Sequence, residues 1–205
     1  MTTLNNHWNS IFASKEDVEL GWYESDSSQT LKLLSTIPAN MRSTVFLPGA
    51  GTSLLVDELF CKGHNLIIND ISDEALKKLK TRFSDNEKRL TWLHCDIAKA
   101  LPPDTPDVDI WIDRAVLHFI LEETDIENYF TNLKSVLISG GYALMAEFSA
   151  AGASKCAGLD LHRYSLDELT ERMGEEFELI THEDYTYTTP FGDIRPYIYA
   201  LYRKI

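Results

Sequence analysis

The sequence predicts an α/β fold built on a doubly wound, mostly parallel seven-stranded sheet, and three observations carry that expectation. Short apolar runs alternate with amphipathic helical stretches through most of the chain. The first two runs, residues 45–47 and 66–68, are continuously apolar, as strands buried on both faces are. Residues 177–188 and 196–203 are joined by Thr189-Pro190-Phe191-Gly192 and read as a closing hairpin, which gives the sheet an antiparallel last strand.

Residues 43–70 organise the rest. Val45, Phe46 and Leu47 form a strand cut off by Pro48 and Gly49, and Leu54, Leu55, Val56, Leu59 and Phe60 then recur at helical spacing until Gly63. Leu66, Ile67 and Ile68 form a second strand that finishes on Asp70. A strand, a glycine turn, a helix and a strand ending on an acid is the arrangement that binds an adenosine-containing cofactor. Gly49 and Gly51 let the backbone approach the ligand, and Asp70 can accept hydrogen bonds from both ribose hydroxyls. Dinucleotide turns carry a third glycine for close helix packing. Here Ser53 and Leu54 stand in its place, which argues against NAD.

At the N-terminus, Trp8, Ile11 and Phe12 fall at helical spacing, and Leu20-Gly21-Trp22-Tyr23 follows a polar stretch. Ser28 is a candidate N-cap for a core-facing helix through Leu31, Leu33, Leu34 and Ile37, ended by Pro38. After Asp70, Ser72 caps a helix with Ala75, Leu76, Leu79 and Phe83 as its apolar stripe and its basic residues toward the C-terminal half. Residues 89–96 form a third strand ending on Asp96, and residues 108–112 a fourth. Glu122 to Leu137 is an amphipathic helix stopped by Gly140-Gly141, before a fifth strand over residues 142–148. A small-residue stretch, 149–158, precedes a helix over residues 166–173.

Asp113, Arg114 and His118 follow the fourth strand. In an open parallel sheet, ligands sit beyond the carboxyl ends of the strands where the strand order reverses. A fourth strand beside the first therefore puts these three at the mouth of the cofactor site. There Asp113 can orient an amine nucleophile, Arg114 can hold Asp113 or an acidic substrate, and His118 can take a proton. The alternative is a structural Asp113–Arg114 brace beside a buried, satisfied histidine.

With 205 residues, 44% hydrophobic and 25% charged, the chain is expected to make a single domain. The net charge of -13 disfavours a phosphate backbone as partner, and no apolar run approaches membrane-spanning length. Cys61, Cys95 and Cys156 are odd in number and widely spaced, which suits a reducing, cytoplasmic setting and forms no metal motif. A monomer or weak dimer is expected.

The looser Gly49-Ala50-Gly51 turn and the acid closing the second strand resemble the class I S-adenosylmethionine-dependent methyltransferases, with a Rossmann-like fold. The wording Leu47-Pro48-Gly49-Ala50-Gly51 is most similar to the thiopurine-methyltransferase-like branch, although Leu47 stands where many members carry an acid. The resemblance covers nearly the whole chain. It implies a lid and helix over residues 1–42, a cofactor-binding core over 43–149, and a substrate-side insert, helix and hairpin over 150–205. It further implies S-adenosylmethionine as cofactor and S-adenosylhomocysteine as product. Cofactor contacts are then expected at Trp22, Gly49, Ala50, Gly51, Asp70, Ile71, Asp96, Ile97 and Asp113, with Asp96 taking the adenine amino group or simply capping a turn. Substrate contacts are expected at Tyr23, Cys156, His162, Arg163 and Tyr164. The expected activity is direct methyl transfer to a small molecule or a protein side chain, with a protein lysine methyltransferase or a non-catalytic cofactor-binding domain as alternatives. Because a sulfonium is already a good leaving group, alignment and water exclusion suffice for most of the chemistry.

Overall fold

The computed structural model describes residues 3–38, 43–83 and 88–205. The expected boundary at 42/43 therefore abuts residues outside the described ones. The main sheet has seven strands, β1 (Thr44–Leu47), β2 (Asn65–Asp70), β3 (Leu90–His94), β4 (Val108–Arg114), β5 (Leu137–Phe148), β8 (Phe177–Thr188) and β9 (Ile194–Lys204), and a separate two-stranded hairpin pairs β6 (Lys155–Cys156) with β7 (Leu159–Asp160). The order is β3-β2-β1-β4-β5-β9-β8, with β9 antiparallel to both its neighbours. The helices are α1 (Leu4–Ser14), α2 (Ser28–Leu34), α3 (Leu55–Cys61), α4 (Asp73–Lys80), α5 (Glu123–Val136) and α6 (Leu166–Met173).

Side chains alternate between the two faces of the central strands, so each strand feeds two cores. Phe46, Ile67, Trp111 and Met145 pack on the side covered by α5 and α6. Val45, Leu66, Ile110 and Leu144 pack on the side covered by α2, α3 and α4. Trp111 lies at the centre, stacked on Phe46 with ring centroids 4.3 Å apart. Its indole N–H donates to the Tyr129 hydroxyl at 2.9 Å, and that hydroxyl donates to Asp113 Oδ2 at 2.5 Å. The core is thereby tied directly to the loop that follows β4.

Six local expectations are corrected. β4 runs on through Arg114, because Asp113 and Arg114 pair with Met145 and Ala146 of β5; both residues lie in the strand and not beyond it. Gly140 and Gly141 do not stop α5, which ends at Val136. They lie inside β5 at a break in register, where Gly140 has φ of 82° and a Cβ on Gly141 would come within 2.9 Å of the Asp109 carbonyl. The cap of α2 is Ser27, one residue before the expected Ser28. The small-residue insert contains the β6–β7 hairpin, turned by Ala157 and Gly158 at positive φ. α2 also ends at Leu34, short of the expected Ile37, and β3 ends at His94, so Asp96 lies in the turn after the strand; Ser72 caps α4 as expected, its hydroxyl accepting the Ala75 N–H.

Candidate active site

The strand order reverses between β1 and β4, and the segments leaving the carboxyl ends of β1 to β5 surround a cavity of about 390 Å3. On the β1–β3 side it is lined by Gly49, Ala50 and Gly51, then by Asp70 and Ile71, and by Asp96 and Ile97. On the other side it meets Arg114 at the end of β4, His118 and Phe119 after it, Phe148 at the end of β5, and Tyr197 of β9. The N-terminal segment adds Trp22, Tyr23 and Glu24, and β6 adds Cys156.

The turn after β1 needs its glycines. Gly49 and Gly51 have φ of 48° and 55°, a region that costs a residue with a side chain about 1–2 kcal/mol. A Cβ on Gly49 would lie 2.5 Å from Val116 Cγ2, and one on Gly51 would lie 3.2 Å from the Phe12 ring. Gly49→Ala is therefore expected to destabilise the protein by roughly 2–4 kcal/mol in chemical unfolding, combining backbone strain with overpacking. A loss below about 0.5 kcal/mol would show that the turn relaxes without cost.

Asp70 is buried and closes the turn. Its Oδ2 accepts the Gly51 N–H and its Oδ1 the Ser72 N–H, both at 2.7 Å, which leaves lone pairs for further donors in the cavity. Burial pushes its carboxyl up to about 6, against those two backbone bonds. Asp96 does two things at once: its Oδ1 caps the turn at Ala98 N–H, 2.9 Å away, and the residue lines the cavity. Leu47, where an acid is common in the resembling family, is buried and also lines the cavity.

The β4 residues divide. Arg114 faces the cavity and does not brace Asp113. It donates to the Trp22 carbonyl at 2.8 Å, pairs with Glu24 at 2.8 Å, and lies over the Tyr187 and Tyr197 rings. Asp113 is fully buried and is not among the cavity-lining residues. Besides Tyr129, it accepts the Val116 and Leu117 N–H groups at 3.0 and 3.1 Å, so it shapes the loop that carries His118. His118 is buried against Phe119 and Phe148, and its Nδ1 lies 2.6 Å from Glu147 Oε2.

Three substrate candidates stay away from the cavity lining. His162 pairs with Glu168 at 2.7 Å, Arg163 donates to the carbonyls of Ala150 and Gly152, and Tyr164 is buried in the core under α6. Cys156 and Tyr23 do line it. The sequence reading passed over Glu24, Phe119, Glu147, Phe148 and Tyr197. Glu147 carried a usable signal, since a carboxyl inside a buried strand requires a partner.

The N-terminal segment covers the cavity. Trp8 packs edge-on against Trp22 and Phe119, with centroids 5.6 and 4.9 Å apart. Asn9 accepts from the Ser72 hydroxyl at 2.7 Å, Asn5 donates to the Ile71 carbonyl, and the Tyr187 hydroxyl donates to the Tyr23 carbonyl.

Residues 47–145 match a family model described as a methyltransferase domain. Among curated proteins, the chain is 24% identical over 161 residues to the eEF1A lysine and N-terminal methyltransferase of Bos taurus. That match covers 74% of this chain and only 22% of the relative, so the chain spans about a fifth of its length. A solved methyltransferase from Anabaena variabilis superposes with a TM-score of 0.75 at 14% identity, covering 98% of this chain and 93% of that one. The 1,6-didemethyltoxoflavin-N1-methyltransferase of Burkholderia thailandensis, solved with its substrate and S-adenosylhomocysteine, superposes with a TM-score of 0.65 at 16% identity, covering 94% and 80%. These structural likenesses establish the fold. With the model matched over residues 47–145 and the cavity at the switch point, they make the chain similar to the S-adenosylmethionine-dependent methyltransferases. Among the described residues no helix is long and apolar enough to cross a membrane.

Proposed function

We propose that the protein methylates a small molecule held under its N-terminal segment. The observation that carries this reading is the cover itself. Trp8, Trp22 and Phe119 close over the cavity, and Arg114 and Tyr187 fasten the backbone of residues 22 and 23 down onto it. An acceptor enclosed there is small, and the cover keeps water away during transfer. Residues 3–24 act as a lid that opens to admit ligands.

S-adenosylmethionine supplies an electrophilic methyl group on its sulfonium. The residues present fit its adenosyl part. Asp70 takes the ribose hydroxyls on its free lone pairs, Asp96 and Ile97 take the adenine, and the Gly49–Gly51 turn holds the amino-acid portion beside β1. Trp22 and Ile71 complete the walls. Asp113 contributes by positioning the loop after β4, and Tyr23 and Cys156 border the acceptor. Pro48 ahead of Gly49 supports a place near the thiopurine-methyltransferase-like branch. One observation favours a second reading, protein lysine methylation: the bovine relative is by its name a methyltransferase of eEF1A lysine.

The test is to incubate the protein with methyl-labelled S-adenosylmethionine and a cell extract, then separate metabolites from protein by ultrafiltration. Label in a metabolite resolved from S-adenosylmethionine by chromatography, and absent from the extract incubated without the protein, is expected. Label confined to protein would establish the second reading, and none in either fraction, despite cofactor binding, would establish a non-catalytic binding domain.

The Asp70 assignment predicts a pH dependence. Ribose hydroxyls donate to the ionised carboxyl, so binding favours the deprotonated form. S-adenosylhomocysteine affinity is therefore expected to be flat above pH 7 and to fall, by up to about tenfold per unit, as the pH drops below about 6. Calorimetric titration across that range checks it, and a level profile would remove Asp70 from the ribose.

A further inference from the structure

From β3 at the sheet's edge to β4, the chain passes β2 and β1 without a helix; residues 95–107 hold neither helix nor strand. A parallel crossover ordinarily carries a helix, whose ladder satisfies its own backbone. Here two buried side-chain amides supply bonds that the ladder would make. Asn132 of α5 donates from Nδ2 to the Ile97 and Lys99 carbonyls at 2.8 and 2.7 Å, and its Oδ1 accepts the Leu101 N–H at 3.2 Å. Asn69 of β2 donates from Nδ2 to the Leu93 and Cys95 carbonyls at 3.1 and 2.9 Å. Asn132 is buried in a helix whose other buried residues include Ile126, Tyr129, Leu133 and Val136, although Asn favours neither a helix interior nor a core. What it binds accounts for it. The segment between the two amides puts Asp96 and Ile97 in the cavity wall, and Asn132 itself is not among the cavity-lining residues.

We propose that Asn132, together with Asn69, is a positioning residue that sets the base specificity of the cofactor site. The two amides clamp residues 95–101 so that the Asp96 carboxylate stands where a 6-amino purine donates to it and a 6-oxo purine is refused. The proposal rests on the reading above that Asp96 and Ile97 take the adenine.

A carboxylate only accepts hydrogen bonds. Asp96 Oδ1 already accepts the Ala98 N–H at 2.9 Å, which leaves Oδ2 for a donor on the base. An amino group donates to it, whereas an oxo group is a second acceptor and meets it with repulsion. That discrimination requires the carboxylate to keep its place, because on a loose loop it would swing away from an oxo group at little cost. The clamp removes this freedom before any ligand arrives, so little ordering is left for binding to impose. Since Asn132 does not line the cavity, whatever its loss does to base selectivity acts through the loop.

The experiment is calorimetric titration with S-adenosylhomocysteine and with S-inosylhomocysteine, which carries an oxo group in place of the 6-amino group, on the wild type, Asn132→Ala, Asn132→Leu and, as a destabilised control, Leu169→Ala in the core under α6. The wild type is expected to prefer the amino ligand by at least about tenfold, and either Asn132 variant to lose most of that preference. Leu169→Ala is expected to keep the preference, which separates positioning from general loosening of the fold. Equal binding of the two ligands by the wild type, or an unchanged preference in an Asn132 variant, overturns the proposal. Amide hydrogen exchange of the ligand-free proteins gives a second reading that needs no cofactor. The Leu101 N–H is expected to be protected in the wild type and to exchange at least about tenfold faster in the variants. Exchange at the rate of an open chain in the wild type overturns the clamp even where both variants fail to fold. Failure of S-adenosylhomocysteine to bind the wild type would instead sink the methyltransferase reading, and the Leu101 exchange then still decides whether the clamp exists.

Discussion

Asp70→Ala is expected to weaken S-adenosylhomocysteine binding by at least about a hundredfold. The carboxyl is the acceptor for the Gly51 and Ser72 N–H groups, which shape the turn after β1 and the start of α4. Removing it leaves two buried donors unpaired, each costing about 1–3 kcal/mol, and a loss of 1.4 kcal/mol is already tenfold in affinity. The stability of the unliganded protein should fall by less than the binding does. Burial raises the Asp70 carboxyl, which means that its charge is itself costly in the folded state, and the substitution removes that cost along with the bonds. Calorimetric titration beside thermal unfolding separates the two effects. Binding within tenfold of wild type in a folded variant would place the ribose elsewhere.

Asp113→Ala is expected to act in the opposite way, chiefly on stability. Asp113 accepts from the Tyr129 hydroxyl and from the Val116 and Leu117 N–H groups, all in a site closed to solvent. Its loss orphans three donors and undoes the chain from Trp111 through Tyr129, at a cost of about 3–5 kcal/mol. That is a large share of the 5–15 kcal/mol typical of a whole domain. Urea unfolding reads it directly. A change under about 1 kcal/mol would mean that the Asp113 network is dispensable to the fold.

The contrast shows how far the chain could be read before its structure. The β1–α3–β2 unit was legible because its signals are local: an apolar run, two glycines, a helical stripe and a closing acid each act over a few residues. Asp70 and the Gly49–Gly51 turn sit where that pattern puts them. Asp113 was visible as a polar residue beside a buried strand, but its direction was not. Whether it faces the cavity or the core depends on β4 continuing to Arg114 against β5, a long-range pairing absent from the local sequence. The same pairing turns Arg114 toward Glu24 and not toward its neighbour Asp113. His162, Arg163 and Tyr164 looked like a substrate loop because the run before them is rich in small residues. A backbone bond from His162 N–H to the His118 carbonyl, and burial of the Tyr164 ring, anchor that segment outside the cavity. Glu147 was passed over because a single acid within an apolar strand shows its partner only once β4, β5 and the loop after β4 are assembled.

The central claim, that the cavity at the β1–β4 switch point takes S-adenosylmethionine, is tested most directly by calorimetric titration of the purified protein with S-adenosylmethionine, S-adenosylhomocysteine and NAD in parallel. Binding of the first two in the micromolar range, without NAD, is the predicted result. Binding of NAD alone would contradict the account, because it would require a pyrophosphate to sit where Leu54 takes the place of the third glycine.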